Sequence, residues 1–397
     1  MIKNNILLLG IVLFFALQSF EARAEEGITD TEIRIAQFGP LSGPAAAWGA
    51  VVKGADLLFK IVNEEGGICG KKIVYRMFDD GYNPAMTKAG VKNLQENIGI
   101  FAWVGGVGSA TSLAVIDYLM NKKVLWISPF SGAKELIDPP KQYLLITFYP
   151  FYRMEAKILC KYAFETMKKK RIAIVYQDDG YGRFALEGAI DEMKRHHNAE
   201  LVSKLPVEAK ESQMKPYALK LKEADAEAVL LFMTPFAALR LLKAAKEMEY
   251  FPQWMGANSF SDFPLLYKIS RGLWEGMITT SQADLAETPL LKKYKDAFSK
   301  YAEAGEEWSL NYQYGIGILE PFVEALKRCN CDLTRERLIK EMENLKEFKG
   351  VLNTGTFEQF NASDPKSRWV SRESSLIQCE KNGEIKQLSD WIRVDNY

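Results

Sequence analysis

The sequence predicts an α/β protein built from two lobes, and three observations carry that prediction. Short apolar runs with strand character alternate with segments whose apolar residues recur at helical spacing. The alternation comes in two separate runs, one before about residue 130 and one after about residue 150. The segment Ala228–Phe232 is nearly all apolar, as suits a strand covered on both faces. Repeated strand–helix–strand units imply parallel sheets with helices packed over them. A chain of 397 residues is long enough for two domains of ordinary size.

The elements follow in order. Ile33 to Phe38 alternates apolar and polar residues and reads as the first strand, closed by a Gly- and Pro-rich turn from Pro40 to Pro44. Val51, Ala55, Leu58, Phe59 and Val62 then share one helical face, and Gly66-Gly67 stops that helix. A strand at Ile73–Phe78 precedes a helix from Pro84 to Asn97, where Pro is tolerated in the first turn. Strand Phe101–Val104, helix Thr111–Met120 and strand Val124–Ile127 complete the first run. The second run reads as helix Arg153–Met167, strand Ile172–Tyr176, helix Arg183–Arg195, strand Leu201–Leu205 and helix Met214–Ala224. Strand Ala228–Phe232 and helix Pro235–Met248 follow. Helices near 288–303 and 310–328 come next, with strand-like segments after Gly355.

Composition narrows the function classes. Lys plus Arg and Asp plus Glu both number 51, so the formal charge is zero, without the basic face that nucleic acid requires. Lys3, the apolar run Ile6–Leu17 and the small-x-small triplet Ala22-Arg23-Ala24 read as a cleavable export leader, with the mature chain beginning at Glu25. The five cysteines are Cys69, Cys160, Cys329, Cys331 and Cys379. An oxidising compartment permits a disulfide, and Cys329 or Cys331 with Cys379 is the expected pair, since all lie in the C-terminal third. No metal site is expected: Cys329-Asn330-Cys331 lacks ligand spacing, and His196 and His197 sit far away at a probable helix end, where exposure is expected.

In a parallel α/β sheet the strand C-termini and the following helix N-termini share one edge, where free N–H groups receive anions. The turns after the strands are therefore the segments to inspect. Gly105 to Ser112 opens a helix; Ser109 either grips an anion there or, like Thr111, merely caps the helix. Its glycines do not complete a dinucleotide fingerprint, and no P-loop Lys follows. Ser128-Pro129-Phe130-Ser131-Gly132 offers amides, a hydroxyl and a ring, but reads first as a turn. Asp178-Asp179-Gly180 and Asp79-Asp80-Gly81 read as turn and capping chemistry rather than paired acid–base carboxylates. No nucleophile–base set accompanies them, so catalysis is not expected.

Taken jointly, these blocks resemble the leucine/isoleucine/valine-binding protein family over essentially the whole mature chain. The matching residues are Gly39 to Pro44, Trp48-Gly49, Gly54-Ala55, Asn63, Gly66-Gly67-Ile68, Asp79-Asp80 and Pro84. Ser128-Pro129, Arg171 to Val175, Tyr181-Gly182, Trp254-Met255-Gly256 and Glu275-Gly276 extend the match. The resemblance implies two Rossmann-like lobes joined by three crossover strands, near Phe148–Phe151, Thr279–Gln282 and Asn353–Thr356. The lobes then pair as 25–148 with 282–354, and 149–281 with 355–397. It further implies a monomeric, periplasmic solute-binding protein that closes over its ligand and delivers it to an ABC permease in the inner membrane, with no cofactor. The other classes weighed are a ligand-sensing receptor module and a secreted α/β enzyme.

Site residues carry over one at a time. Ser109 matches a hydroxyl on the ligand carboxylate, and Trp48 an aromatic ring packed on the ligand. Phe130 and Ser131 lie in a loop whose backbone holds the ligand's polar groups, with Gly132 in place of a frequent Thr. Tyr181 matches a second-lobe ring that closes over the ligand. Thr234 stands where the family often has an aromatic residue, and Asn258 where it carries an acidic partner for the ligand amine. A buried ammonium needs a charged or strongly accepting partner, so Asn258 leaves two ligand classes open. One is a branched-chain or other hydrophobic amino acid; the other is a carboxylate without an amine, aromatic acids among them.

Overall fold

The computed structural model describes residues 25–145, 149–370 and 372–393; the expected leader at 1–24 lies outside the described residues. Two sheets organise the chain. The first has strands β1 (Glu32–Gly39), β2 (Lys72–Asp79), β3 (Ala102–Val104), β4 (Leu125–Ile127) and β5 (Leu144–Leu145), all parallel, in the order β2-β1-β3-β4-β5. The second holds β6 (Ile172–Gln177), β7 (Ser203–Val207), β8 (Ala228–Phe232), β9 (Gln253–Gly256) and β10 (Ile278–Ser281) in parallel. It continues through β11 (Glu373–Cys379) and β12 (Ile385–Gln387), which run antiparallel, in the order β12-β11-β10-β9-β8-β6-β7. A last strand, β13 (Ile392–Arg393), pairs with β11. The fold is thus the expected two-lobed α/β arrangement. All five residues of β8 are buried, as their continuous apolar run requires of a strand covered on both faces.

Several elements exceed the periodicity reading. β9, β10, the helix Phe263–Ser270 and the helix Arg335–Glu343 carried no clear period in the sequence. β9 and β10 have four residues each, too few to establish a period of two. The expected helix at Thr111–Met120 is two short ones, Ser109–Leu113 and Ile116–Asn121. The helix expected to reach Met167 is α-helical over Tyr152–Lys161 and widens into a π turn over Tyr162–Thr166.

The C-terminal helices return to the first sheet. Helix Leu310–Gly317 lies against helix Gly49–Glu64 so closely that only glycine fits at the contact. A Cβ on Gly54 would stand 2.3 Å from Tyr312 O, and one on Gly315 would stand 2.0 Å from Val51 O. Ser128 Oγ fastens the same return by donating to Ile318 O at 2.8 Å.

The disulfide corrects the sequence expectation. Cys69 pairs with Cys331, Cα atoms 5.7 Å apart across 262 residues, and Cys160, Cys329 and Cys379 are buried free thiols. Cys379 ends β11 in the second sheet, whereas Cys331 follows helix Glu320–Arg328. Nearness in sequence misled because the chain changes lobes between the two. The His197 side chain is also not exposed as expected: it is 4% accessible and stacks on Phe164 at 4.2 Å.

Candidate functional site

Two sets of turns face one another. From the first lobe come the segments after β1, β3 and β4; from the second come those after β6 and β9. In parallel sheets these are the edges that receive ligands. The lobes touch in this conformation. Trp48 Nε1 donates to Ser259 O at 2.9 Å, and Gln177 Nε2 to Tyr82 OH at 3.3 Å. At the rim, Ser309 Oγ donates to Asp262 Oδ2 at 3.0 Å, and Lys268 pairs with Glu307 at 2.9 Å.

Ser109 is fully buried and does not cap its helix. The N-cap is Gly108, and the Ser109 hydroxyl instead lies 2.8 Å from Ser131 Oγ and donates to Tyr152 OH at 3.3 Å. Thr111 turns its hydroxyl back to Val107 O at 2.7 Å, as a helical Thr commonly does. Three hydroxyls therefore converge from two first-lobe turns and the first residue of helix Tyr152–Lys161. Each can donate to a carboxylate oxygen. Burial pushes the Tyr152 phenol up, against hydrogen bonds with Ser109 and Ser131, so it stays a neutral donor.

Aromatic rings enclose this polar point. Trp48, 3% exposed, meets Tyr82 edge-on at 5.4 Å and Tyr181 edge-on at 6.2 Å. Tyr181 packs on Tyr152 at 4.5 Å, and its hydroxyl lies 3.1 Å from Ser259 Oγ. Phe130 sits behind, against Tyr149 at 4.3 Å. Its backbone groups are engaged by the neighbouring turn, with Phe130 N donating to Gly106 O at 2.8 Å and Phe130 O accepting from Gly108 N at 3.2 Å. The Phe130 backbone thus braces the Gly105–Gly108 turn. Gly132 has no room for the Thr it replaces, because a Cβ there would stand 2.2 Å from Pro150 O.

The remaining two residues do different work. Thr234 donates to Ala209 O at 3.1 Å, within the second lobe. Asn258 is tied to the residue after β10 and to helix Tyr152–Lys161: its Nδ2 donates to Gln282 Oε1 at 2.9 Å, and its backbone N–H donates to Glu155 Oε1 at 2.7 Å. The structure thus brings Trp48, Ser109, Ser131 and Tyr181 into one cluster, with Phe130 and Gly132 shaping its wall. Sequence reasoning missed Tyr82, Tyr149, Tyr152, Glu155 and Ser259. Tyr149 lies within the expected first crossover and Tyr152 directly follows it, which was the available signal. The two Asp pairs behave as turn formers: Asp79 Oδ1 accepts from the amides of Leu41, Ser42 and Gly81, and Asp179 caps its helix through Tyr181 N. Among the described residues no group of three or more His, Cys, Asp or Glu is placed to hold a metal ion.

Comparison with known proteins adds a family, two relatives and a solved structure. Residues 32–383 match the model of the family described as periplasmic binding protein. The leucine-specific-binding protein of Salmonella typhimurium is 28% identical over 273 residues, covering 68% of this chain and 73% of that protein. The Leu/Ile/Val-binding protein BraC3 of Rhizobium johnstonii is 27% identical over 304 residues, covering 75% and 80%. Among solved structures, the fatty acid ABC transporter substrate-binding protein from Thermomonospora curvata superposes with a TM-score of 0.82 at 22% identity, covering 93% of this chain and 94% of that one. At that identity the likeness is one of fold.

Proposed function

We propose, since this chain belongs to the periplasmic binding protein family, that it captures a hydrophobic amino acid between its lobes and hands it to an ABC importer. The observation that carries this reading is the cluster itself. Three buried hydroxyls, on Ser109, Ser131 and Tyr152, meet at one point and are ringed by Trp48 and Tyr181 from opposite lobes. That pairing of a donor-rich point with an aromatic wall suits a carboxylate on an apolar body. The relatives' names support the class: leucine, the branched-chain amino acids and fatty acids all have an acid group on an apolar chain.

The mechanism follows from the placement of the groups. Ligand docks first on the first-lobe turns, where Ser109 and Ser131 hold its carboxylate. Hinge closure then brings Tyr181 and Ser259 over it, and Trp48 Nε1 donates to Ser259 O across the cleft. Closure excludes water and strengthens each polar contact. The permease then engages a closed face formed by both lobes, and no chemical step is needed. The periplasm is the compartment this role requires, and a monomer suffices for it.

A second reading, an acid without an amine, draws on Asn258, which is neutral where the resemblance implies an acidic residue. Calorimetry on protein stripped of solute by unfolding and refolding tests the proposal. Leucine, isoleucine, valine and phenylalanine would be titrated beside octanoate and phenylacetate. Binding of an amino acid at about 1 μM or tighter, equivalent to about −8 kcal/mol, is the expected result. Ser109→Ala is expected to weaken it about tenfold while the melting temperature of the empty protein holds. No heat from any of the six acids would reject the reading.

A further inference from the structure

We infer that Glu155, not Asn258, supplies the negative charge that receives the ligand's ammonium group, so that the site takes an α-amino acid as its zwitterion. This rests on reading the cleft as a carboxylate site. Glu155 is fully buried in the first turn of helix Tyr152–Lys161, where that helix meets the carboxyl ends of β9 and β10. Its Oε1 accepts from the backbone N–H of Asn258 at 2.7 Å and from the Thr280 hydroxyl, while its Oε2 has no hydrogen-bond partner among the described residues. A buried carboxyl with one oxygen unmatched is costly to keep without a purpose, and a cation is what it lacks.

Cations stand close in sequence but are held elsewhere. Arg153 and Lys157, on the same helix, both turn to Asp191, at 3.0 and 2.6 Å. Among the described residues no Lys, Arg or His pairs with Glu155. The titratable groups whose charge bears on it are the phenols of Tyr149, Tyr181 and Tyr314, which burial pushes up and keeps neutral. Tyr149 and Tyr181 belong to the ring cluster of the cleft. Burial likewise pushes the Glu155 carboxyl up, to about 8.

Helical geometry supplies the last step. Tyr152 and Glu155 are three residues apart and so share one helix face, with Cβ atoms about 5–6 Å apart. Tyr152 joins the Ser109–Ser131 donor point, and Glu155 lies on the same helix face about one turn further along. A donor end and an acceptor end side by side match the carboxylate and ammonium of an amino acid, which are separated by a single carbon.

Calorimetry with paired ligands tests this. Leucine and phenylalanine are titrated beside 4-methylpentanoate and 3-phenylpropanoate, the same skeletons without the amine, into wild type and Glu155→Gln. Wild type is expected to bind the preferred amino acid about 100-fold more tightly than its amine-free counterpart. Glu155→Gln is expected to lose about 100-fold for the amino acid and to hold the amine-free acid within about threefold. Near pH 7, wild type should release about one proton per amino acid bound, read from binding heats in buffers of different ionisation enthalpy, and the variant none. If the variant fails to fold, the wild-type ligand ratio and proton count carry the test. Amino-acid affinity unchanged in Glu155→Gln, no proton release, or equal wild-type affinity for both members of a pair overturns the inference. Equal affinity leaves the carboxylate reading standing, whereas absence of binding by all four acids rejects that reading as well.

Discussion

Trp48 is the residue on which the two lobes meet. Its ring contributes to the wall of the cleft, and its Nε1–H bonds the other lobe's Ser259 carbonyl. Trp48→Phe keeps most of the apolar wall but deletes that donor, leaving a buried carbonyl without its partner. A buried neutral hydrogen bond contributes about 1 kcal/mol. Under the proposed hinge closure, Ser259 O would regain water when the lobes part, so the cost would fall on closure. Titration calorimetry should therefore show ligand affinity reduced about fivefold, with the stability of the open protein little changed. A variant that binds as tightly as wild type would show that this bond does not help hold the closed state.

Among the elements, helices Gly49–Glu64 and Leu310–Gly317 meet backbone to backbone, with room only for glycine at the contact. Gly315→Ala drives a methyl group into the Val51 carbonyl. Backbone cannot yield as a flexible side chain does, so the helices must separate at an overpacking cost of about 1–3 kcal/mol. Denaturant unfolding of the empty protein should show that loss. The Cys69–Cys331 disulfide secures the same lobe between the turn after helix Gly49–Glu64 and the end of helix Glu320–Arg328. Replacing both cysteines by alanine should cost about 2–4 kcal/mol, because the crosslink closes a very long loop of the unfolded chain. Unfolding of the double variant with and without reductant separates this from any effect of the three buried thiols.

Over the whole molecule, buried acids set the response to pH. Burial pushes Glu155 to about 8, Glu320 to about 7, and Asp262 and Asp80 to about 6. In the unfolded chain such groups titrate near 4. The folded protein therefore binds extra protons between about pH 4 and pH 8, and its stability falls as pH rises through that window. Other acids act oppositely. Asp191 is lowered because Lys157 and Arg153 overcome its burial, and Glu227 is lowered by the amides of Arg171 and Lys170. Their contribution is present above about pH 4 and is lost below it. Guanidinium unfolding of the empty protein should find greatest stability near pH 4 and a decline of roughly 1–3 kcal/mol by pH 8. A flat or rising profile over that range would contradict the buried-acid account.

The sequence by itself determined the alternation of strands and helices, the two lobes and the turns that form the cleft. Each is written in local periodicity and turn chemistry, which neighbours along the chain enforce. Ser109 was open to two readings from its turn, and Trp48 and Tyr181 entered only through the family resemblance. Glu155 and Tyr152 were legible by neither route. They lie on an ordinary-looking helix after the first crossover, and an acidic residue in a helix's first turn reads as a favourable charge beside exposed amides. Only the tertiary structure buries that turn against Asn258 and Thr280, residues 103 and 125 positions away. The disulfide partner was hidden in the same way. Which cysteine reaches Cys69 depends on the chain having returned to its first lobe before Cys331 and left it again before Cys379, and no local pattern encodes a crossing between lobes.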